Sequence, residues 1–369
     1  MLTMYVYDTS LQCVGIIDSA KSTLWVRKLF SPNTVEIELP LNELYLDIIQ
    51  QYYTIVRNDT QEAVLIRTIA IQDSIETGRA IKVTAYDYST MFYRRSFSQT
   101  GANVYAAISN NTQGNKVIPN LTLHTDLQNI TIAKQHAMLG DSLELSMQVD
   151  MTWGLQSVMV DGGIQLQKIT CTDRSTAQSI NPQVIFAQKY DNFLSMNYTI
   201  SDENAVNTVV CSINTDGADD PNNVPTDVGI ESNKSGFERH EIHVEINASI
   251  EHVSETIPIY SSTGVKVDEV TIDHKYVDVA KTRENANSSC NNRIQQAEPT
   301  VEGIIVPIGY RTDWDVGDTI SIISQMGITI DTQITEITEY YDFTSNKIVP
   351  TFGSQKLTIN DKLRKMGVV

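Results

Sequence analysis

Alternation of apolar and polar positions is clearest in the last fifty or so residues. Ile320 and Ile322 alternate with Thr319 and Ser321, and Ile328, Ile330 and Ile334 alternate with Thr329, Asp331, Gln333 and Thr335. A period of two marks half-buried strands. Ile337 follows Ile334 by three positions, an odd step that reverses the facing side chain and so predicts a β-bulge. Val316-Gly317-Asp318 and Gln325-Met326-Gly327 read as turns. Pro350 is expected to end pairing, because it has no ladder donor.

The same period runs through the N-terminal hundred residues. Strands are expected at Tyr5–Tyr7, Cys13–Ile17, Leu24–Leu29 and Thr34–Leu39; in the last, Val35, Ile37 and Leu39 face one way and Glu36 and Glu38 the other. Leu41, Leu44, Tyr45, Ile48 and Ile49 follow at helical spacing. A hairpin spans 63–88, setting Ile69 and Ile71 against Ile81, Val83 and Ala85, with its turn at Glu76–Arg79. Tyr88–Arg95 reads as a helical turn with Arg94 and Arg95 as a solvated or interfacial pair, and Val104, Ala107 and Ile108 as a short helix. Leu143, Leu145, Met147, Val149, Met151 and Trp153 alternate strictly, favouring a strand, with a helix capped at Asp141-Ser142 as the alternative.

Further strands are expected at Ile164–Ile169, Gln183–Phe186, Met196–Ile200, Val206–Ser212 and His240–Ile246. Residues 215–236 are rich in Asp, Asn, Gly and Pro and read as a long exposed loop, functional or mobile. Val279, Ala286, Cys290 and Ile294 predict the longest helix, over 273–296. These elements divide the chain into 1–100, a first β domain; 101–182, a small α/β domain; 183–300, a second β domain carrying that loop and helix; and 301–369, a β-hairpin module. The parts can interleave.

Composition narrows the function. In 369 residues, 45 acidic against 27 basic side chains give a net charge of −18, which disfavours phosphate or nucleic-acid binding; solubility is its first explanation, and a surface past which DNA slides is the alternative it would also suit. Cys13, Cys171, Cys211 and Cys290 form no C-x-x-C pair, so the spacing supports neither a metal site nor a redox dithiol and favours isolated buried thiols. No signal segment or membrane-length apolar run appears, and synthesis in a reducing cytoplasm is expected.

Candidate chemistry is sparse. His240-Glu241-Ile242-His243 lacks the four-residue histidine spacing of a zinc-protease helix. Asp216, Asp219, Asp220 and Asn222 lack the order and closing Glu of a calcium loop, and Asp313, Asp315 and Asp318 read as part of a turn. No nucleophile elbow, phosphate loop or dinucleotide fingerprint occurs. Neither catalytic nor cofactor or metal residues are assigned.

Five stretches, in order, resemble the hub proteins of long-tailed bacteriophages, the structural N-terminal module of tail-associated lysins that is similar to the central hub of contractile baseplates. They are Met4-Tyr5-Val6-Tyr7-Asp8 with Val14 to Asp18, the Trp25 strand and Val35 to Pro40; Ile66 to Tyr93 ending in Arg94-Arg95; Ile118-Pro119-Asn120-Leu121; Asp173-Arg174-Ser175 through Val184-Ile185-Phe186 to Asp191-Asn192-Phe193-Leu194 and Asn207; and Tyr310, Asp313, Gly317-Asp318 and Pro350-Thr351-Phe352-Gly353. The chain departs from the pattern at Glu238-Arg239-His240-Glu241, where the resemblance calls for a basic pair before a Glu.

The resemblance implies a mainly β (α+β), four-part hub with two tail-tube-like β-barrel domains and smaller α/β domains. Three copies would form a ring at the virion tail tip, continuing or closing the tail tube and passing DNA without binding it specifically. Its partners would be itself as a homotrimer, the distal tail or baseplate ring proteins and the tape-measure protein. With sixteen residues after Gly353, no hydrolase extension and no enzymatic role are expected. The alternatives are a cell-wall hydrolase and a carbohydrate-binding adhesin using Trp25, Trp153 and Trp314. A further expectation is a plug with loop 215–236 as its moving part.

Overall fold

Apolar residues at every second position commit nearly half of the described residues to strands, and thirteen of these strands join in one sheet. The computed structural model describes residues 2–74, 78–97, 103–132, 138–199, 205–291, 293–294, 300–306, 308–323, 329–344 and 346–353. The main path of the sheet runs Phe193–Thr199, Thr300–Ile305, Asn346–Phe352, Thr329–Asp342, Ser22–Lys28, Thr34–Pro40, Gly78–Asp87, Ala63–Ser74, Thr54–Arg57, Met4–Tyr7 and Cys13–Ile17. Thr319–Ile323 pairs antiparallel with Thr329–Asp342 and parallel with Ile185–Ala187. Strands from the two ends of the sequence are thus direct neighbours, with Glu339 opposite Trp25. The chain is mainly β.

The chain divides into two units, residues 1–199 with 300–369, and residues 200–299. In the first, one core cluster gathers Trp25, Val35, Ile37, Leu39, Tyr45 and Val83, and the other gathers Phe92, Leu143, Trp153, Phe186, Trp314 and Phe352. The alternation read in Thr34–Leu39 is realised: Val35, Ile37 and Leu39 are buried, Glu36 is exposed and Glu38 half-buried. A smaller sheet of Leu121–Leu123, Gly163–Thr170 and Trp153–Val160 belongs to the same unit.

The odd step at Ile334–Ile337 is a bulge: Phe352 pairs with Ile334, but the next residue back, Thr351, pairs with Glu336. The inserted residue restores phase, so Ile334 and Ile337 are both fully buried. Pro350, however, does not end pairing. It sits opposite Ile337 and the ladder continues through Thr351 and Phe352, then Gly353 N–H donates to the Gln333 carbonyl at 2.9 Å. A proline withdraws one donor and is accommodated beside a bulge, where the ladder is already interrupted.

Two further expectations are corrected. Residues 139–150 form a helix, Leu139–Asp150, and the strand begins only at Trp153. Leu139, Leu143 and Met147 recur every four residues and are buried, while Val149 is 52% exposed; burial of one helical stripe outweighs the period-two pattern. The longest helix expected over 273–296 is Val279–Asn291, because 273–277 complete the strand Lys266–Val277. Asp278 separates the two, its carboxylate accepting from the Lys281 N–H at 3.0 Å as an N-cap does. The turns expected at Glu76-Thr77 and Gln325-Met326-Gly327 lie outside the described residues.

The second unit holds a parallel pair, Thr208–Asn214 with Glu241–Asn247, the helix Val279–Asn291, and an antiparallel hairpin of Ile250–Tyr260 with Lys266–Val277. The 215–236 loop is mostly exposed but tied down. Asp219 accepts from Lys275 N–H at 2.7 Å and Asp220 from Val277 N–H at 2.8 Å, Ile230 bridges Val209, and Asp227 pairs with Arg283 at 3.0 Å.

Candidate functional site

The densest chemistry in the first unit is a buried ionic cluster that sequence reading missed. Ser22–Lys28 supplies Arg27, Thr54–Arg57 and the turn after it supply Arg57, Asp59 and Glu62, and the C-terminal segment supplies Tyr310, Arg311, Asp315, Glu339 and Tyr341. Glu339, fully buried, accepts four hydrogen bonds: from Tyr310 at 2.6 Å and Arg311 at 2.6 Å on Oε1, and from Arg57 at 2.8 Å and Tyr341 at 2.5 Å on Oε2. Glu62 is clasped by Arg311 through two nitrogens at 2.9 and 3.2 Å and meets Arg27 Nε at 2.8 Å. Arg27 makes a two-pronged contact with Asp315, and Arg57 another with Asp59 at 3.0 and 2.7 Å. The Arg57 guanidinium also lies 4.9 Å over the Trp25 ring.

Electrostatics follow from this geometry. Burial alone would raise the Glu339 carboxyl, but Arg57 and Arg311 and the two tyrosine hydroxyls hold it at about 2. Burial and the Glu339 charge push the Tyr341 phenol up to about 12, and burial pushes Tyr310 higher still. Arg27 stays charged although burial disfavours its cation, because Glu62, Tyr310 and Asp315 surround it. A carboxylate saturated by four donors has no lone pair left to take a proton at neutral pH, and arginines engaged by carboxylates do not present a fork to phosphate. The cluster therefore ties strands together rather than performing acid–base chemistry.

The residues singled out from sequence are dispersed. Asp315 binds Arg27; Asp318 accepts from Thr172 N–H, Arg174 and Asp315 N–H at 3.0, 2.9 and 3.1 Å; Asp313 is exposed. His243 pairs with Ser212 at 2.8 Å, while His240 stands just before the strand. Among the described residues no three His, Cys, Asp or Glu side chains converge as a metal site. Trp25, Trp153 and Trp314 are buried to within 2% and offer no exposed ring to a sugar. Arg94 is exposed and Arg95 half-buried, its carbonyl accepting from Leu139 N–H at 2.8 Å. No helix among the described residues is long and apolar enough to cross a membrane.

In the second unit the hairpin presents a different surface. Directly paired residues share a face, and Val253, Ile257 and Ile259 on one strand stand on the same side as Val270, Ile272 and Tyr276 on the other. Each of these six is 39–46% exposed. The opposite face carries His252, Ser254 and Thr256 against Lys275, Asp273 and Thr271. The first face also carries Glu251, Glu255, Asp268 and His274, so its six apolar side chains stand among charged ones, open to solvent.

Three solved structures of tail proteins share this architecture. The 43 kDa tail protein of prophage MuSo2 from Shewanella oneidensis is 12% identical, with a TM-score of 0.56 over 95% of this chain and 97% of that one. The tail protein from Neisseria meningitidis MC58 is 8% identical, with a TM-score of 0.56 over 96% and 97%. Prophage tail protein gp18 from Listeria monocytogenes EGD-e is 10% identical, with a TM-score of 0.52 over 100% and 98%. At these identities the likeness is one of fold. Residues 3–354 match the family described as Siphovirus ReqiPepy6 Gp37-like protein, and the chain belongs to that family. No curated protein matches the chain.

Proposed function

We propose that the chain is a non-enzymatic structural hub of a phage tail tip or baseplate, acting as a homotrimer that continues or closes the tail tube and lets DNA pass at infection. In this reading the hub has four interleaved parts, drawn from 1–100, 101–182, 183–300 and 301–369, of which two are tail-tube-like barrels. Its other neighbours are the distal tail or baseplate ring proteins and the tape-measure protein. The virion tail tip is its destination and the host cytoplasm its place of synthesis. The observation that carries assembly is the hairpin Ile250–Tyr260 with Lys266–Val277: a two-stranded hairpin is marginal alone in water, and the six exposed apolar side chains on one of its faces call for cover. The acidic surface supports passage of DNA without retention. A plug that moves through loop 215–236 would have to break the contacts of Asp219, Asp220 and Asp227.

Size-exclusion chromatography with light scattering, followed by electron microscopy, tests the proposal. Three chains per particle and a ring are expected; a strict monomer at high concentration with no ring overturns the hub. Clearing of bacterial cell walls on a zymogram would instead favour the hydrolase.

A further inference from the structure

Of the four cysteines, Cys13 is exposed rather than buried as expected, and one pair, Cys211 and Cys290, is brought together by the fold of the second unit. Thr282, Ala286 and Cys290 recur at intervals of four and form the buried stripe of the helix Val279–Asn291, which packs on the strands Thr208–Asn214 and Glu241–Asn247. Cys211 lies on the first of these strands, on the same face as the buried Val209 by the period of two. Its thiol, 3.9 Å from the Ser212 carbonyl, lies close enough to interact with that of Cys290, which is fully buried. No disulfide joins them.

We infer that Cys211 and Cys290 are an oxidisable dithiol, whose closure staples the helix to the strand when the protein leaves a reducing compartment. A chain-entropy argument gives such a bridge weight, because it closes a long loop between positions 211 and 290. The co-reactant is a small-molecule disulfide such as oxidised glutathione. The Cys211 thiolate, on the partly exposed side, attacks one glutathione sulfur; the S–S bond breaks and one glutathione thiolate leaves. The Cys290 thiolate then attacks the Cys211 sulfur, the mixed disulfide breaks, and a second glutathione thiolate leaves. Two protein thiols are oxidised, one glutathione disulfide is reduced, and two protons pass to solvent or to the departing thiolates. Burial and the neighbouring Cys290 thiol hold Cys211 at about 11, so the thiolate is scarce at neutral pH and its attack is faster in alkaline solution.

The test uses the purified full-length chain, reduced and then incubated with oxidised glutathione at pH 8.5. A single intramolecular cross-linked peptide containing Cys211 and Cys290, two hydrogens lighter than the reduced pair, is expected, with free thiols in denaturant falling from four to two or fewer because the exposed Cys13 can take a separate glutathione adduct. Unfolding of residues 200–299, followed by hydrogen exchange on heating, is expected to move up by about 10 °C. That shift is absent in Cys211→Ser, whose position at the partly exposed end of the pair leaves the core intact. Absence of the Cys211–Cys290 cross-link after incubation, or a cross-link involving Cys13 or Cys171, overturns the inference. The result is independent of assembly: a trimer without the bridge sinks the dithiol alone, and a bridge in a strict monomer sinks the hub alone.

Discussion

Arg57 and Glu339 lie 282 residues apart in the chain and meet at 2.8 Å in the interior of one sheet. Both are almost completely buried, at 1% and 0% exposure. Replacing such a cluster wholesale by apolar groups can be neutral, but removing one partner leaves an uncompensated charge in a low dielectric. Arg57→Ala is therefore expected to cost about 3–5 kcal/mol, measured by urea unfolding. The double variant Arg57→Met, Glu339→Met should recover part of that loss; a single-variant cost within 1 kcal/mol of zero would remove the cluster from the account of stability.

Acid should act through the same carboxylate. The Glu339 carboxyl protonates near 4.5 when unfolded and near 2 when folded, so its contribution is complete above 4.5 and lost as pH falls toward 2. Unfolding free energy is expected to drop by about 3 kcal/mol across that window from this group. In Glu339→Gln the drop should be shallower. Parallel curves for the two proteins would show that other carboxyls set the acid limit.

Gly317 holds φ at +96° in the turn before Thr319–Ile323, and a Cβ there would meet the Cys171 sulfur at 2.8 Å. Gly317→Ala is expected to lower stability by about 2 kcal/mol through backbone strain and this contact. Adding Cys171→Ala should return only the part due to the contact, separating the two causes by calorimetry.

On the hairpin, Ile257→Asp and Ile272→Asp should leave the isolated chain nearly as stable, since both side chains are about two-fifths exposed. Their effect is expected in assembly, as a shift of mass from three chains toward one in light scattering. Unchanged stoichiometry would place the trimer contacts elsewhere.

Legibility in the sequence followed how local each cause was. The bulge at Ile334–Ile337 and the faces of Val35, Ile37 and Leu39 were readable because strand period and side-chain direction are set by adjacent residues. The helix Leu139–Asp150 was not, because its residues fit two periods and packing of Leu143 and Met147 decides between them. The hairpin's second strand carries a signal that was missed, Val270, Ile272, His274 and Tyr276 at alternate positions. The ionic cluster left no local trace: Arg27, Glu62, Arg311 and Glu339 become partners only after the sheet has brought distant strands side by side.

That neighbouring of early and late strands has a consequence during synthesis. Ser22–Lys28 finds its partner Thr329–Asp342 only after some three hundred further residues have left the ribosome. Until then the nascent chain carries an unzipped strand edge at Trp25, and Arg57 waits for Glu339. The first unit therefore cannot close until Thr329–Asp342 has been made, and a chain halted before Thr329 is a substrate for chaperones and proteases rather than a smaller folded protein.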